Sequence, residues 1–455
     1  MSRSRAPTRD VAIYAPQGSA LYVEDSPAVG GAERQMALVA RGLAQAGLRV
    51  CHVLSPIPGL PASFDGVELI TEHPRAPRRL PGSMIGRVTE ALAKADARVY
   101  IQRSAGLATL LVGGFARLHG RAFIYSASSA FDLTHAGPLD PLEGIGFRIG
   151  LPLAHAVVVQ TYDQLATAQR RRGLVQIPSI CEPPGPISRG ERDIFLWVGR
   201  PARYKNPGVF VELARAVPEA RFVMVGLQTS ALSTDGMKNP PANLDVRPPL
   251  AQLHLAKLYT RAIAVVNTSD FEGFPNTFLE GWAHGALALS LNVDPDGVLR
   301  KHRLGICAAG SLETLAGLAR ELWRDRHEDQ TLRRQAVRYV ADHHAAEAVA
   351  NRWCALIQRF LAPDQRYRLR DPRMLGVRSS LENKLVHSPI SHKSREDESA
   401  SSVKGEDIVG TSDVEWIAAD PIHNVIPAAH PASASVIGPK PEVGLRPTRY
   451  HGPKR

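Results

Sequence analysis

Cysteine is scarce and scattered. Cys51, Cys181, Cys307 and Cys354 are the four in 455 residues, and no two form a CxxC pair. That argues against a zinc ribbon and for reduced thiols. No apolar run approaches the roughly 20 residues that span a bilayer. The opening MSRSRAPTRDVAIYAP lacks an apolar stretch ending in a small-residue cleavage site, so the expected location is cytoplasmic. Lysine is rare too. Before residue 362 it occurs only at Lys94, Lys205, Lys238, Lys257 and Lys301, and arginine supplies most of a net charge of +11. A basic balance of this size suits nucleic acid, anionic lipid or phosphorylated small molecules. Zinc-finger spacing, an RNP-like aromatic motif and a basic helical run are all missing, which argues against nucleic acid.

What is present is alternation. Up to about Leu361, β-rich runs alternate with helical patterns, the signature of parallel sheets with crossover helices. VAIYAP reads as a buried strand. In GGAERQMALVARGLAQAG, residues Met36, Val39, Ala40, Leu43 and Ala46 fall at helical spacing. Gly47 suits a C-cap, and LRVCHVL closes a βαβ unit. ARVYIQ, RAFIYSA and AHAVVVQT are further strands. IPSICEPPGPISRGERD, from Ile177 to Asp193, breaks the pattern and reads as a linker. IFLWVG, ARFVMVG, AIAVVNTS and ALALSLN resume it, with Asn206-Pro207 expected as N-cap and first helical residue. AEAVANRWCALIQRFL closes the region as a helix. The expected fold class is α/β, with two Rossmann-like domains over residues 1–182 and 183–344 facing a cleft. From 362 to 455 the chain lacks apolar periodicity and is expected to be a disordered tail.

Three segments carry residue types suited to chemistry. In NTSDFEGFPNTFLEGWAHG a strand ends, a turn follows and a short helix begins, which aims a helix N-terminus into the cleft. Glu272 would accept hydrogen bonds from sugar hydroxyls and Glu280 would hold a ribose. Gly273 would let backbone approach a ligand, and Pro275 would stiffen the turn. In FLWVGRPARYKN a strand ends at Gly199, and Arg200 and Lys205 are placed to bind a diphosphate and neutralise a departing charge. In SPAVGGAERQ, Gly30 and Gly31 open the first helix and would face the same phosphates, although the pattern is not GxGxxG. A solvated turn, a basic surface loop and a structural turn are the plainer readings of these three.

Together and in this order the segments resemble the retaining glycosyltransferases of family 4, which have the GT-B fold. GGAERQMALVARGLAQAG, VGRPARYKN and EGFPNTFLE match that family's Gly-Gly-x-Glu opening, Arg-xxxx-Lys pair and Glu-x7-Glu motif. The likeness covers about Val11 to Leu361. NTSDFEGFPNTFLEGWAHG followed by SLNVDPDGVL is similar to members that build bacterial surface polysaccharides, exopolysaccharides among them. The resemblance implies that Arg200 and Lys205 hold a donor diphosphate, that Glu272 contacts the transferred sugar and that Glu280 contacts the ribose. Backbone along Gly273, Phe274, Pro275 and Asn276 would meet sugar and phosphate oxygens. The helix over 345–361 would cross back to the first domain. Two departures stand out. Asp294-Pro295-Asp296-Gly297 replaces a Gly-Gly turn common in relatives. Relatives often carry a first-domain histidine near the reacting sugar; in IYSASSAFDLTHAG His135 is the nearest candidate and Asp132 has similar standing, and an exposed loop is the plainer reading of both.

The implied activity is hexosyl transfer from a nucleotide-sugar donor to a growing glycan, by front-face displacement, with no cofactor and no metal. Asp294 and Asp296 match the Asp-x-Asp metal motif of the other major glycosyltransferase fold, but Pro295 between them reads as a turn. A lipid-linked saccharide is one acceptor this allows. Basic segments RAPRRLPG and Arg170 to Arg172 would then meet anionic membrane at its inner face, although on composition alone solvated basic loops are the plainer reading. A GT-B sugar-nucleotide epimerase and a non-catalytic nucleotide-sugar-binding subunit are the alternatives.

Overall fold

A computed structural model describes residues 7–24, 26, 29–73, 81–134, 140–168, 173–182, 190–227, 239–326 and 330–361. His135, Arg170 to Arg172, most of RAPRRLPG and the tail from 362 lie outside these residues. Runs rich in Val, Ile, Ala and aromatic residues form strands because branched side chains pack well on a pleated, two-sided sheet. The first sheet contains β1 (Arg9–Tyr14), β2 (Val50–Leu54), β3 (Ser63–Phe64), β4 (Val67–Thr71), β5 (Ala97–Arg103), β6 (Ala122–Ser126), β7 (Ala156–Val159) and β8 (Leu174–Gln176). Their order is β3-β4-β2-β1-β5-β6-β7-β8, parallel except where β3 meets β4. The second contains β9 (Ile194–Val198), β10 (Phe222–Val225), β11 (Leu244–Arg247), β12 (Ala262–Asn267), β13 (Leu287–Ser290) and β14 (Gly305–Cys307). Its order is β11-β10-β9-β12-β13-β14, parallel throughout. The strand order reverses at β9, the switch point where such sheets open a crevice beyond their carboxyl ends.

Alternate residues along each strand feed opposite faces. Val11 and Ile13 pack on the helix Gly31–Gln45, while Ala12 and Tyr14 join the core under the helices Pro81–Ala95 and Leu107–Leu118. Phe195 and Trp197 pack with Phe210 and Val211, while Ile194 and Leu196 pack with Leu255 and Tyr259. The helix Ala346–Leu361 lays Val349, Trp353 and Ile357 onto the first core beside Met36 and Leu43. Gly42 permits that approach, since a Cβ there would lie 2.8 Å from the Ala350 Cβ.

Two expectations need correcting. The segment from Ile177 is not a free linker as far as Glu182. Ile177, Ile180 and Cys181 are buried, and Cys181 forms a β-bridge with Ala345. Residues 183–189 lie outside the description. Asn206 does take the N-cap position and Pro207 the first helical one, but the Asn206 side chain makes no capping hydrogen bond. Its backbone is left-handed (φ 46°), and its amide donates to Thr268 O at 3.2 Å and to Asp270 Oδ1. That ties the loop after β9 to the turn after β12. The edge strands β8, β11 and β14 gave no clear signal, because an edge strand only partly covered on its faces needs no continuous apolar run.

Buried histidines make the fold acid-sensitive. His52 is fully buried with Nδ1 taking the Tyr22 hydroxyl at 2.6 Å, and burial lowers its pKa to about 3. His344 Nδ1 meets Ser179 O at 2.8 Å, and burial lowers its pKa to about 4. Both folded values lie below the ordinary 6.5, so this contribution is complete above that pH and is lost as pH falls. At pH 5 each should cost about 2 kcal/mol of stability. Urea unfolding at pH 7.5 and pH 5 checks this, and equal stability at the two would show that the rings are not held neutral.

Candidate active site

The Glu272 turn is built by two loops that clasp each other. β12 ends at Asn267, whose Oδ1 accepts from Ser269 N at 3.0 Å. Thr268 Oγ1 donates to Lys205 O at 2.7 Å and receives Trp197 Nε1–H at 3.0 Å. Asp270 N donates to Tyr204 O at 2.9 Å. This backbone clasp brings Lys205 Nζ onto Glu272 Oε1, which also accepts from Ser269 Oγ at 2.8 Å. The two side chains are only 22% and 14% exposed, so each largely replaces water for the other. Tyr204 stacks on Phe271, with ring centroids 4.8 Å apart, at the lip of the same cavity.

Glu280 lies one turn into the helix Asn276–Ala283 and is 13% exposed. Its Oε2 accepts from the Tyr259 hydroxyl at 2.6 Å, and its Oε1 lies 3.5 Å from Arg34 Nε. Burial first, and then Glu280, push the Tyr259 pKa well up, so its hydroxyl stays a donor. Both expected carboxylates are therefore mostly buried and both are compensated.

A cavity of about 350 Å³ joins these groups. From the second sheet it takes Gly199, Arg200, Lys205, Glu272, Glu280 and the backbone opening the helix at Asn276. From the first it takes Gly30, Gly31, Arg34, Arg103, Ser128 and Ser129. The Arg200 guanidinium lies over Gly30, where a Cβ would meet its Cζ at 3.2 Å. A larger groove, about 740 Å³, opens at the amino ends of β10 and β11. Its Arg221 and Arg261 pair with Asp193 and its Arg247 with Asp245. Parallel sheets carry their loops and helix N-termini at the other end, so the smaller cavity is the candidate site.

Several expected residues serve the approach of the two sheets. Gly31 O accepts from Asn276 Nδ2 at 2.9 Å, and a Cβ on Gly31 would lie 2.3 Å from that nitrogen. The Asn276 side chain is thus spent on the first-sheet helix, which leaves its backbone for a ligand. Phe274 is core: its ring lies 5.0 Å from His344 and 6.1 Å from Trp282. Pro275 takes the N-cap position. Asp296 is half-buried and engaged. Its carboxylate accepts from Tyr162 N at 3.0 Å and Asp163 N at 2.8 Å, and Asp163 accepts in return from Asp296 N. Asp294 accepts from Leu299 N at 2.8 Å. Asp294 thus serves its own turn and Asp296 an interdomain contact. Among the described residues no three His, Cys, Asp or Glu side chains converge. Asp132 is corrected as well. It is 7% exposed and accepts from Tyr125, Ser128 and Ser129, because the loop after β6 folds around it.

The sequence reading missed Arg34, Tyr259, Tyr204 and Arg103. Arg34 alone left a trace: a cation in the first turn of a helix opposes the helix dipole and needs a reason. Burial lowers the Arg103 pKa to about 10, which still leaves it charged beside the cavity.

At Gly273 the turn lies close against the first half. A Cβ there would lie 2.6 Å from Ser128 O, 2.9 Å from Gln160 Oε1 and 3.0 Å from Gln164 Nε2. Both glutamine atoms are buried and lack a hydrogen-bond partner among the described residues. Overpacking costs about 1–3 kcal/mol, and at Gly273 it would fall on the approach of the sheets and spare both cores. Gly273→Ala should therefore enlarge the radius of gyration in solution scattering while leaving thermal unfolding nearly unchanged. Unaltered scattering would mean that the turn yields locally.

Residues 192–325 match the family described as Glycosyl transferases group 1. No curated protein matches the chain by sequence. Among solved structures the chain is similar to a sucrose-phosphate synthase from Thermosynechococcus elongatus, with TM-score 0.64 and 16% identity over 78% of this chain and 99% of that one. It is also similar to Alr3699/HepE of Anabaena, solved with UDP and glucose (TM-score 0.59, 13% identity, 77% of this chain and 99% of that one). A third is the pneumococcal O-GlcNAc transferase GtfA, solved with UDP and GlcNAc (TM-score 0.56, 10% identity, 78% and 99%). Likeness at these identities speaks to architecture. Two parallel α/β sheets meet at their carboxyl ends around one cavity: the chain has the GT-B fold, and its residues 192–325 carry a group 1 glycosyltransferase domain.

Proposed function

We propose that this protein is a retaining glycosyltransferase of the family 4 type that moves a sugar from a nucleoside diphosphate to a growing glycan. The observation that carries this is the Lys205–Glu272 pair, set beside the helix opening at Asn276 in a cavity lined by both sheets. The two solved relatives that hold UDP with a free sugar support a UDP-sugar as the first donor to test. In this reading the helix N-terminus, Arg200 and Lys205 receive the diphosphate, whose charge replaces that of Glu272 as the lysine's partner. Glu272 then accepts from sugar hydroxyls, and Glu280 accepts from ribose. The bond from the anomeric carbon to phosphate oxygen breaks, and the bond to the acceptor oxygen forms on the same face. The acceptor proton passes to the departing phosphate oxygen. No protein nucleophile and no metal is needed.

The acceptor proposed is a lipid-linked saccharide of surface-polysaccharide assembly, met at an anionic membrane. Among the described residues no helix is long and apolar enough to cross a membrane. The helix Pro141–Gly150 leaves Leu142, Ile145 and Ile149 about half exposed, at 56%, 48% and 54%, at one-face spacing beside exposed Arg148. That face suits a peripheral contact. Replacing the three with serine should remove most sedimentation with vesicles containing phosphatidylglycerol; undiminished binding would place the contact elsewhere.

Site variants separate the roles. Glu280→Ala should mainly weaken nucleotide binding, and Glu272→Gln should mainly lower turnover, because a loosely held sugar is misaligned at bond breaking. Lys205→Ala should cost about 2–4 kcal/mol of transition-state stabilisation, by analogy with loss of one oxyanion donor. EDTA should leave transfer largely intact. Activity abolished by EDTA and restored by manganese, with Lys205→Ala near normal, would reverse the assignment. Nucleotide release only when an acceptor is present separates transfer from epimerisation, which would return an altered sugar nucleotide with no net release of nucleotide.

A further inference from the structure

Arg34 is tied to two separate parts of the chain and has no assigned task. It opens the helix Gly31–Gln45, and its side chain is 15% exposed. Nη2 donates to Glu182 Oε2 at 2.6 Å, and Nε lies 3.5 Å from Glu280 Oε1. Glu182 follows the first sheet, whereas Glu280 belongs to the second. The next residue, Gln35, repeats the span. Its Nε2 donates to Ile180 O at 2.8 Å and to Asn276 Oδ1 at 3.1 Å, and its Oε1 accepts from Ile180 N. Arg34 is thus the cation that holds one oxygen of Glu280, while Tyr259 holds the other.

Geometry gives this arrangement a consequence. A carboxylate that grips two adjacent ribose hydroxyls must present a fixed plane, and a lone hydroxyl partner on one oxygen leaves the group free to turn. A guanidinium at the other oxygen removes that freedom. Burial works against charge on Arg34, but Glu280 and Glu182 outweigh it and raise its pKa, so the cation persists. Its position in a first helical turn is electrostatically unfavourable, and Glu280 and Glu182 together compensate it.

We infer that Arg34 is a positioning residue that acts through Glu280, setting that carboxylate for the ribose diol and coupling nucleotide binding in one sheet to seating of the other. This rests on the proposed reading of Glu280 as the ribose contact. A residue that only braced the fold would change stability without changing which nucleotide binds.

The test measures calorimetric affinity of the full chain for whichever of UDP, GDP and ADP binds most tightly, and for its 2′,3′-dideoxy form. The wild type should favour the ribose form by about tenfold or more. Arg34→Met should bring that preference close to one, and Glu280→Ala should do the same. Adding Arg34→Met to Glu280→Ala should cause no further loss, since both act on one contact. Arg34→Lys keeps the charge without the two-pronged reach and should retain part of the preference. Should Arg34→Met fail to fold, the lysine variant decides. A full wild-type preference in the Arg34 variants overturns the inference. A preference that survives Glu280→Ala overturns the ribose reading itself, and equal affinities in the wild type overturn both.

Discussion

Glu280 is mostly buried between two sheets because a cation from one and a phenol from the other hold its two oxygens. Breaking a buried ion pair by removing one partner costs about 3–5 kcal/mol, against a typical total stability of about 5–15 kcal/mol. Glu280 therefore draws on one partner from its own half and one from the other. The same approach brings the helix at Gly31 onto the helix at Asn276, and both line the cavity.

The surface that docks the sheets is also the surface that lines the cavity. Gly31 and Gly273 let backbone and side chain come within distances that a Cβ would forbid. Asp296 reaches across to two amides at the start of the helix Tyr162–Thr167, where carboxylate oxygens suit free N–H groups. The cavity shape thus depends on interdomain contact as much as on either fold. Motion of one sheet against the other would change the surroundings of Arg200 over Gly30 and of Arg34 beside Glu280 in one step.

Glu272 and Lys205 both belong to the second half, and the clasp through Thr268, Asp270 and Tyr204 holds them by contacts within it. This divides the cavity in two. One part is prebuilt around Lys205, and the other is completed by Arg34 and the Gly30–Gly31 turn. A prebuilt cation suits a charge that must be met at once, whereas a shared contact suits a group that reports closure.

Periodicity and strand-end position made the two α/β halves legible in the sequence, along with the turn carrying Glu272 and the loop carrying Lys205. These signals are local: alternating faces, a glycine after a strand, a helix beginning at Pro275. What those residues touch was not local. Asn206 looked like a helix cap, but its amide finds Thr268 and Asp270, 62 and 64 residues away. Asp132 looked like loop, but four donors close around it. Arg34 and Glu280 lie on different sheets, and no spacing rule links them. Sequence determines which backbone stretches can be strand, turn or helix N-terminus, because those preferences act over a few residues. Tertiary structure alone decides which charge meets which, because desolvation and Coulomb attraction depend on distance in space and are indifferent to distance along the chain.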